Sequence, residues 1–355
     1  NTNMASTIKV DKAATSRIQE VDMNNLDFGR CFTDHMFEMQ YANNAWKTAH
    51  VKPFGPIQIT PALNVLHYGQ AVFEGMKAFK DDAGKLWLFR PKENFDRINR
   101  SAKRLQIPEF PETYFFEGLN NLLKLDRDWV KSGEGNSLYV RPFVFASQPS
   151  VQASASMEYI FMIICAPVKA YYTGGDINVL IAEEYSRAAN GGVGFAKAAG
   201  NYAAQFYPTS EALKKGFQQI IWTDASNHEY LEEAGTMNIF FKINGTLITS
   251  PTNDRILDGI TRKSIIEIAK QNGFPVEERP IKVGELKEAH EKGILEEVFG
   301  TGTAVVVLPI HSFSHQGKSY PLSKQTPVAH QLKDKLVGIQ YNTCEDPFNW
   351  RLSVD

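Results

Sequence analysis

With 355 residues, of which 43% are hydrophobic and 22% charged, the chain holds enough apolar material for a large core and is too long for one small module. Thirty-eight Lys and Arg against 40 Asp and Glu give a formal charge of −2, which leaves no strong field to draw in nucleic acid or anionic lipid. Cys31, Cys165 and Cys344 are scattered and odd in number, with no CxxC pair, so a reducing, cytoplasmic setting is expected. No apolar run approaches the roughly 18–20 residues that cross a bilayer. The polar start NTNMASTIKVDK also lacks the apolar centre of a secretory signal.

In chain order, residues 1–30 read as a polar, irregular arm. From Phe32 to Phe89, the runs FTDHMFEMQY, IQITPAL, AVFEGMKAF and LWLF read as strands with tight connections, and FKDDAGKLWLF as a hairpin. Lys92–Leu105 has Phe95, Ile98, Ala102 and Leu105 at helical spacing, and Thr113–Val130 is a second helix, opened by Thr113. Strands follow at Ser137–Ser147 and Glu158–Val168. The segment AYYTGG then has linker chemistry, which places a smaller α/β domain at 1–174, a linker near 170–180 and a larger domain at 175–355. Beyond it come a strand (INVLIAEE), a helix over Asn201–Leu213, a strand (FQQIIWTDA) and a hairpin turning at Asn244-Gly245. Helices over Thr261–Gln271 and Val283–Lys292 and a strand over Thr303–Ile310 complete the reading. Neither half has a βαβ rhythm, so the expected class is α+β.

The chemistry-bearing residues leave alternatives open when taken singly. The histidines are dispersed without HExxH; His311 and His315 are four apart but follow a proline in a loop-like segment, so no metal site is expected. Gly191–Lys197 (GGVGFAK) superficially resembles a phosphate loop but has neither GxxxxGK[ST] nor GxGxxG spacing, leaving a nucleotide binder as an alternative. Lys197 lies among Ala196, Ala198, Ala199 and Gly200. It reads either as a shielded amine that attacks a carbonyl or as a snorkelling lysine at a helix start. Glu232-Glu233 is either a solvated turn or a source of one acid for a buried ring nitrogen. Asp258-Gly259-Ile260-Thr261 opens a helix whose free N–H groups can cradle phosphate. Thr301–Ala304 offers a second set of amides. A lysine, an acid and an anion site together are the parts that pyridoxal phosphate requires.

Eight segments, in order over about residues 28–310, carry a closer likeness: FTDHMF (32–37), HYGQAVFEGMKAF (67–79), FDRINRSAKRL (95–105), LYVRPF (138–143), GGVGFAKAAGNYAAQ (191–205), LEEAGTMNIFF (231–241), ILDGITRKSI (256–265) and FGTGTA (299–304). In these the chain resembles the branched-chain amino acid aminotransferases, pyridoxal 5′-phosphate enzymes of fold type IV. The resemblance implies a two-domain fold like that of D-amino acid aminotransferase, with the cofactor between the domains and the larger C-terminal domain as its main holder. It implies that Lys197 bonds the cofactor and shuttles the substrate proton, that Glu233 faces the pyridine nitrogen and that Tyr202 meets O3′. Arg97, with Gly259, Ile260, Thr261 and Thr303, would form the phosphate cup. Phe32, Tyr68, Phe73, Tyr139 and Tyr171 would wall the substrate side chain, ordinary core packing being the other reading of these aromatics. Arg141 would share the face of Tyr139 and meet the distal carboxylate of glutamate. Thr236, Thr303 and Ala304 would hold the substrate α-carboxylate.

The implied reaction transfers the amino group of L-leucine, L-isoleucine or L-valine to 2-oxoglutarate in a homodimer, with no nucleic-acid or membrane partner. Other fold type IV enzymes (a D-amino acid aminotransferase or an aminodeoxychorismate lyase) and a non-catalytic cofactor-binding relative are the alternatives. Some animal members carry a redox-active CxxC soon after GTA. Here Val305–Leu308 stands in its place, so thiol regulation of that kind is not expected.

Overall fold

The computed structural model describes residues 7–170 and 174–354. Packing divides the chain into two units: Asn1–Ala170 with Ala196–Gly200 and Ile339–Asp355, and Tyr171–Phe195 with Asn201–Gly338. This differs from the single cut expected at 174/175, and the N-terminal unit is the larger. Two later segments return to it because they complete its hydrogen bonding.

The first unit begins with β1 (Lys9–Val10), β2 (His35–Ala42), β3 (Ala45–Pro53) and the short α1 (Val65–Tyr68). It continues through β4 (Ala71–Phe73), β5 (Met76–Lys80), β6 (Leu86–Phe89), α2 (Pro91–Arg104), α3 (Glu112–Leu125), a 3₁₀ turn at Arg127–Trp129, β7 (Asn136–Ala146) and β8 (Tyr159–Lys169). Among the described residues these strands form one sheet in the order β1-β3-β2-β8-β7-β5-β6, with β4 also paired to β7. The C-terminal strand Arg351–Val354 adds itself antiparallel to β6. Expected strand IQITPAL is irregular instead; Pro56 and Pro61 flank and interrupt it and cannot donate to a ladder. AVFEGMKAF is split into β4 and β5 at Glu74-Gly75, where a Cβ on Gly75 would lie 2.1 Å from the Tyr139 hydroxyl. α3 begins after Pro111, not at Thr113, and stops at Leu125. It buries Phe115, Leu119, Leu122 and Leu123 against Phe37 and Phe161 of the sheet, and Gly118 allows the Phe37 ring within about van der Waals contact.

The second unit contains β9 (Asn178–Ile181), α4 (Ala199–Ala203) from Asn201 onward, α5 (Phe206–Lys214), β10 (Gln219–Thr223), β11 (Leu231–Ala234), β12 (Asn238–Ile243), β13 (Thr246–Thr249) and α6 (Ile260–Gln271). β14 (Val276–Glu278), α7 (Val283–Glu291), β15 (Leu295–Gly302), β16 (Val306–Pro309), β17 (Ser312–His315), β18 (Lys318–Pro321) and α8 (Pro327–Gln340) follow. Two sheets result, ordered β11-β10-β9-β17-β18 and β14-β13-β12-β15-β16. The β12–β13 hairpin turns at Asn244 (φ 48°) and Gly245 (φ 83°), the positive dihedrals expected of that pair. Asn201–Leu213 is two helices because Pro208 lacks the N–H that a continuous helix would donate to residue 204, yet is tolerated in the first turn of α5. The strand expected at Thr303–Ile310 is shorter: 303–305 form the tight turn joining β15 to β16. No helix among the described residues is long and apolar enough to cross a membrane.

The return of the C-terminal segment to the first unit is pinned by Tyr341. Its hydroxyl donates to the Asn136 carbonyl at 2.7 Å and accepts from the Gly135 N–H at 3.2 Å, while its ring meets Phe79 edge-on. Burial pushes its phenol up to about 12. Because the fold holds that proton more tightly than the unfolded chain, the stabilisation is complete below about pH 10 and is lost as pH rises through the folded value. Tyr341→Phe is expected to lower Tm by about 2–4 °C at neutral pH. Thermal unfolding followed across alkaline pH should also show a shallower loss of stability for this variant than for the parent.

Candidate active site

In the first unit the site is built around α2, which has two buried faces. One is the apolar stripe of Phe95, Ile98 and Ala102 read from the sequence; the other is polar and carries Asn94, Arg97 and Ser101. Arg97 donates through Nε and Nη2 to both carboxylate oxygens of Glu74, each at 2.7 Å, and Asn94 donates to the same carboxylate at 2.8 Å. Glu74 is 0% exposed and Arg97 5%, so a fully desolvated charge pair is closed by hydrogen bonds on the acid's side. The Glu74 backbone carbonyl accepts from Arg141 Nε at 2.8 Å.

Lys197 belongs to this unit. Its backbone N–H donates to the Ser101 hydroxyl oxygen at 2.8 Å, its carbonyl accepts from Phe73 N–H at 3.1 Å, and Ala198 bridges to Val72. Its half-buried side chain carries Nζ to 4.8 Å from the Phe73 ring centroid, and the Arg141 guanidinium lies 4.5 Å from the same centroid. Arg141 also donates to the Tyr139 hydroxyl at 3.0 Å, as their alternate positions on β7 allow. Lys197, Phe73, Tyr139 and Arg141 therefore converge.

Other expected residues do not join them. Phe32 stacks on Phe54 at 4.9 Å, and it is Phe28 that meets Tyr139 edge-on at the same separation. Tyr68 is 49% exposed and donates to the Val151 carbonyl. Tyr171, with part of the expected linker, lies outside the described residues.

The second unit holds a separate constellation. Glu233, on β11, is buried, accepts from the Leu257 N–H at 2.9 Å and pairs with Arg187 at 3.1 Å. Arg187 also donates to the carbonyls of Arg255 and Gly194, which ties Glu233 to the glycine-rich loop. Neighbouring Glu232 is pushed up by burial, against the pull of Arg255 Nε at 2.5 Å, so the adjacent acids have different environments. Asn238 donates to the Leu257 carbonyl at 2.9 Å, and a Cβ on Gly259 would come within 1.9 Å of its Oδ1. Gly259 thus brings the start of α6, with buried Ile260 and Thr261, against β12, and no side chain caps that helix. Thr301 pairs with Asn238 across the sheet, and its buried hydroxyl lacks a hydrogen-bond partner. Thr236 is exposed in the β11–β12 turn, where Gly235 has φ 58°, and its carbonyl faces Gly302 beside Thr303 and Ala304. Tyr202 is half-buried on α4.

Sequence reading missed Glu74, Arg187 and Phe28. The signal for Glu74 was an acid inside an otherwise apolar strand run; Phe28 was hidden in the polar arm, and Arg187 preceded the glycine-rich segment without a recognisable spacing. Among the described residues, no group of three or more His, Cys, Asp or Glu is placed to hold a metal ion.

The family model of amino-transferase class IV matches residues 71–313. A probable branched-chain-amino-acid aminotransferase of Staphylococcus aureus is 44% identical over 99% of both chains. Branched-chain-amino-acid aminotransferase 2 of Bacillus subtilis is 43% identical over 98% of this chain and 97% of its own. The crystal structure of the Escherichia coli branched-chain amino acid aminotransferase superposes with a TM-score of 0.73 at 25% identity, covering 91% of this chain and 99% of that one. An α+β fold of type IV and the class IV aminotransferases are thereby defined. Within that class, the chain belongs to the branched-chain-amino-acid aminotransferase family.

The Arg187–Glu233 pair tests the second unit's construction, since both side chains are almost completely buried. Arg187→Met removes the charge partner of this buried carboxylate and is expected to cost roughly 3–5 kcal/mol, whereas the double variant with Glu233→Gln should recover most of that loss. Urea unfolding midpoints measure both.

Proposed function

We infer that the protein transfers the amino group of L-leucine, L-isoleucine and L-valine to 2-oxoglutarate, giving the branched-chain 2-oxo acids and L-glutamate. The observation that carries this reading is the meeting of the Lys197 amine and the Arg141 guanidinium on one aromatic ring, Phe73. An apolar side chain can lie against Phe73 and Tyr139, and a distal carboxylate in the same place can be met by Arg141. One pocket then serves both halves of the exchange.

Pyridoxal 5′-phosphate is the cofactor we assign, and the residues present fit it. The uncapped start of α6, the close approach made possible by Gly259 and the orphaned Thr301 hydroxyl suit a phosphate dianion. The buried Glu233 carboxylate suits a protonated ring nitrogen. When bound, the cofactor supplies an electron sink that lets the Cα–H bond of an amino acid ionise. Lys197 would hold it through Nζ and move the proton at the substrate Cα. Arg97, Ile260, Thr261 and Thr303 would hold the phosphate, Tyr202 the ring hydroxyl, and Thr236 with the Thr303–Ala304 amides the substrate carboxylate.

We further assign a homodimer, supported by the exposed apolar side chains of Leu66, Tyr68 and Val151 around one hydrogen bond. A cytoplasmic location is supported by three unpaired cysteines, Cys31, Cys165 and Cys344.

Purified protein is expected to turn over L-leucine with 2-oxoglutarate and to show an absorbance band above 300 nm (on the order of 400 nm for a conjugated cofactor) that Lys197→Ala abolishes with the activity. Turnover of D-alanine alone would overturn the assignment. Arg141→Ala should raise KM for 2-oxoglutarate by about 10–100-fold and that for leucine by far less, as steady-state kinetics with each substrate varied will show.

A further inference from the structure

We propose that Ser101 is a positioning residue for the reaction, fixing where the Lys197 amine is delivered. The inference rests on the reading of Lys197 as the reactive lysine. A lysine amine sits at the end of a flexible four-carbon stem, so its placement depends on how firmly the backbone beneath it is held. Both backbone polar groups of Lys197 are held, the carbonyl by Phe73 N–H at 3.1 Å and the N–H by Ser101 Oγ at 2.8 Å. Only the second of these depends on a side chain.

Ser101 is 1% exposed and lies within the last turn of α2, where alanine would serve the helix better. Its hydroxyl is therefore explained by the amide it receives. It follows Arg97 by four residues, one turn along the same buried face, and Arg97 is itself locked by Glu74. α2 thus works as a strut: Arg97, whose guanidinium is assigned to the phosphate, and Ser101, which receives the amide of Lys197, leave the helix one turn apart, about 6 Å along its axis. One helix would then hold both the residue assigned to the phosphate and the support of the lysine that would bond the cofactor. A displacement of about 1 Å can cost catalysis about 100-fold.

The test is the rate at which Lys197 is modified when cofactor-depleted, full-length protein is mixed with pyridoxal 5′-phosphate, quenched with borohydride at intervals and mapped by peptide mass spectrometry. Ser101→Ala is expected to label Lys197 about ten-fold more slowly and to lower kcat by a similar factor, with KM for leucine within about two-fold of the parent. Ser101→Thr, which restores the hydroxyl, should label within about two-fold of the parent rate. Labelling of Ser101→Ala at the parental rate would overturn the role of Ser101 while leaving Lys197 as the reactive lysine. Absence of label at Lys197 in the parent would overturn the functional reading, and this inference with it.

Discussion

Glu74 and Arg97 are ionised groups with almost no access to water, and the first unit is arranged around meeting their demands. Removing two charges from solvent is tolerable only where geometry is good and the remaining lone pairs and protons find partners. Here the forked guanidinium matches the carboxylate, Asn94 takes a further lone pair, and the backbone on either side of Glu74 is tied to β7 through Pro142 and Arg141. The break between β4 and β5 follows from this. At that break Gly75 leaves room for the Tyr139 hydroxyl, which a Cβ there would meet at 2.1 Å.

The second unit solves a similar problem with a different residue set. Glu233 enters the interior on a strand and is compensated by Arg187, just ahead of the glycine-rich loop, while Leu257 supplies an N–H from the approach to α6. That loop is rich in glycine for reasons of space: a Cβ on Gly194 would collide with Ala188 and with the backbone at 254–255. Close packing therefore accounts for the glycine at 194 without a nucleotide. His311, one of the two histidines spaced like metal ligands, instead accepts the Ile177 N–H at 2.8 Å.

Much of this was legible in the sequence, and unevenly so. Apolar periodicity located α2 and α3, and the Asn-Gly pair located the β12–β13 turn, because each depends on local preferences. The alternation of Tyr139 and Arg141 placed both on one face. Periodicity could not reveal that α2 buries a second, polar stripe, since Asn94, Arg97 and Ser101 look like a solvated face until Glu74 and Lys197 are brought against them. Phe28 is hidden for the same reason: only tertiary packing decides that it meets Tyr139 while Phe32 stacks on Phe54.

The pairing of Arg351–Val354 with β6 has a bearing on biosynthesis. β6 spans Leu86–Phe89, so its outer edge can be completed only after the whole of the second unit has left the ribosome. Until then the nascent sheet presents an open row of N–H and C=O groups, the kind of surface that templates aggregation. Closure at such long sequence separation is slow, which leaves the protection of β6 to a strand made after the second unit.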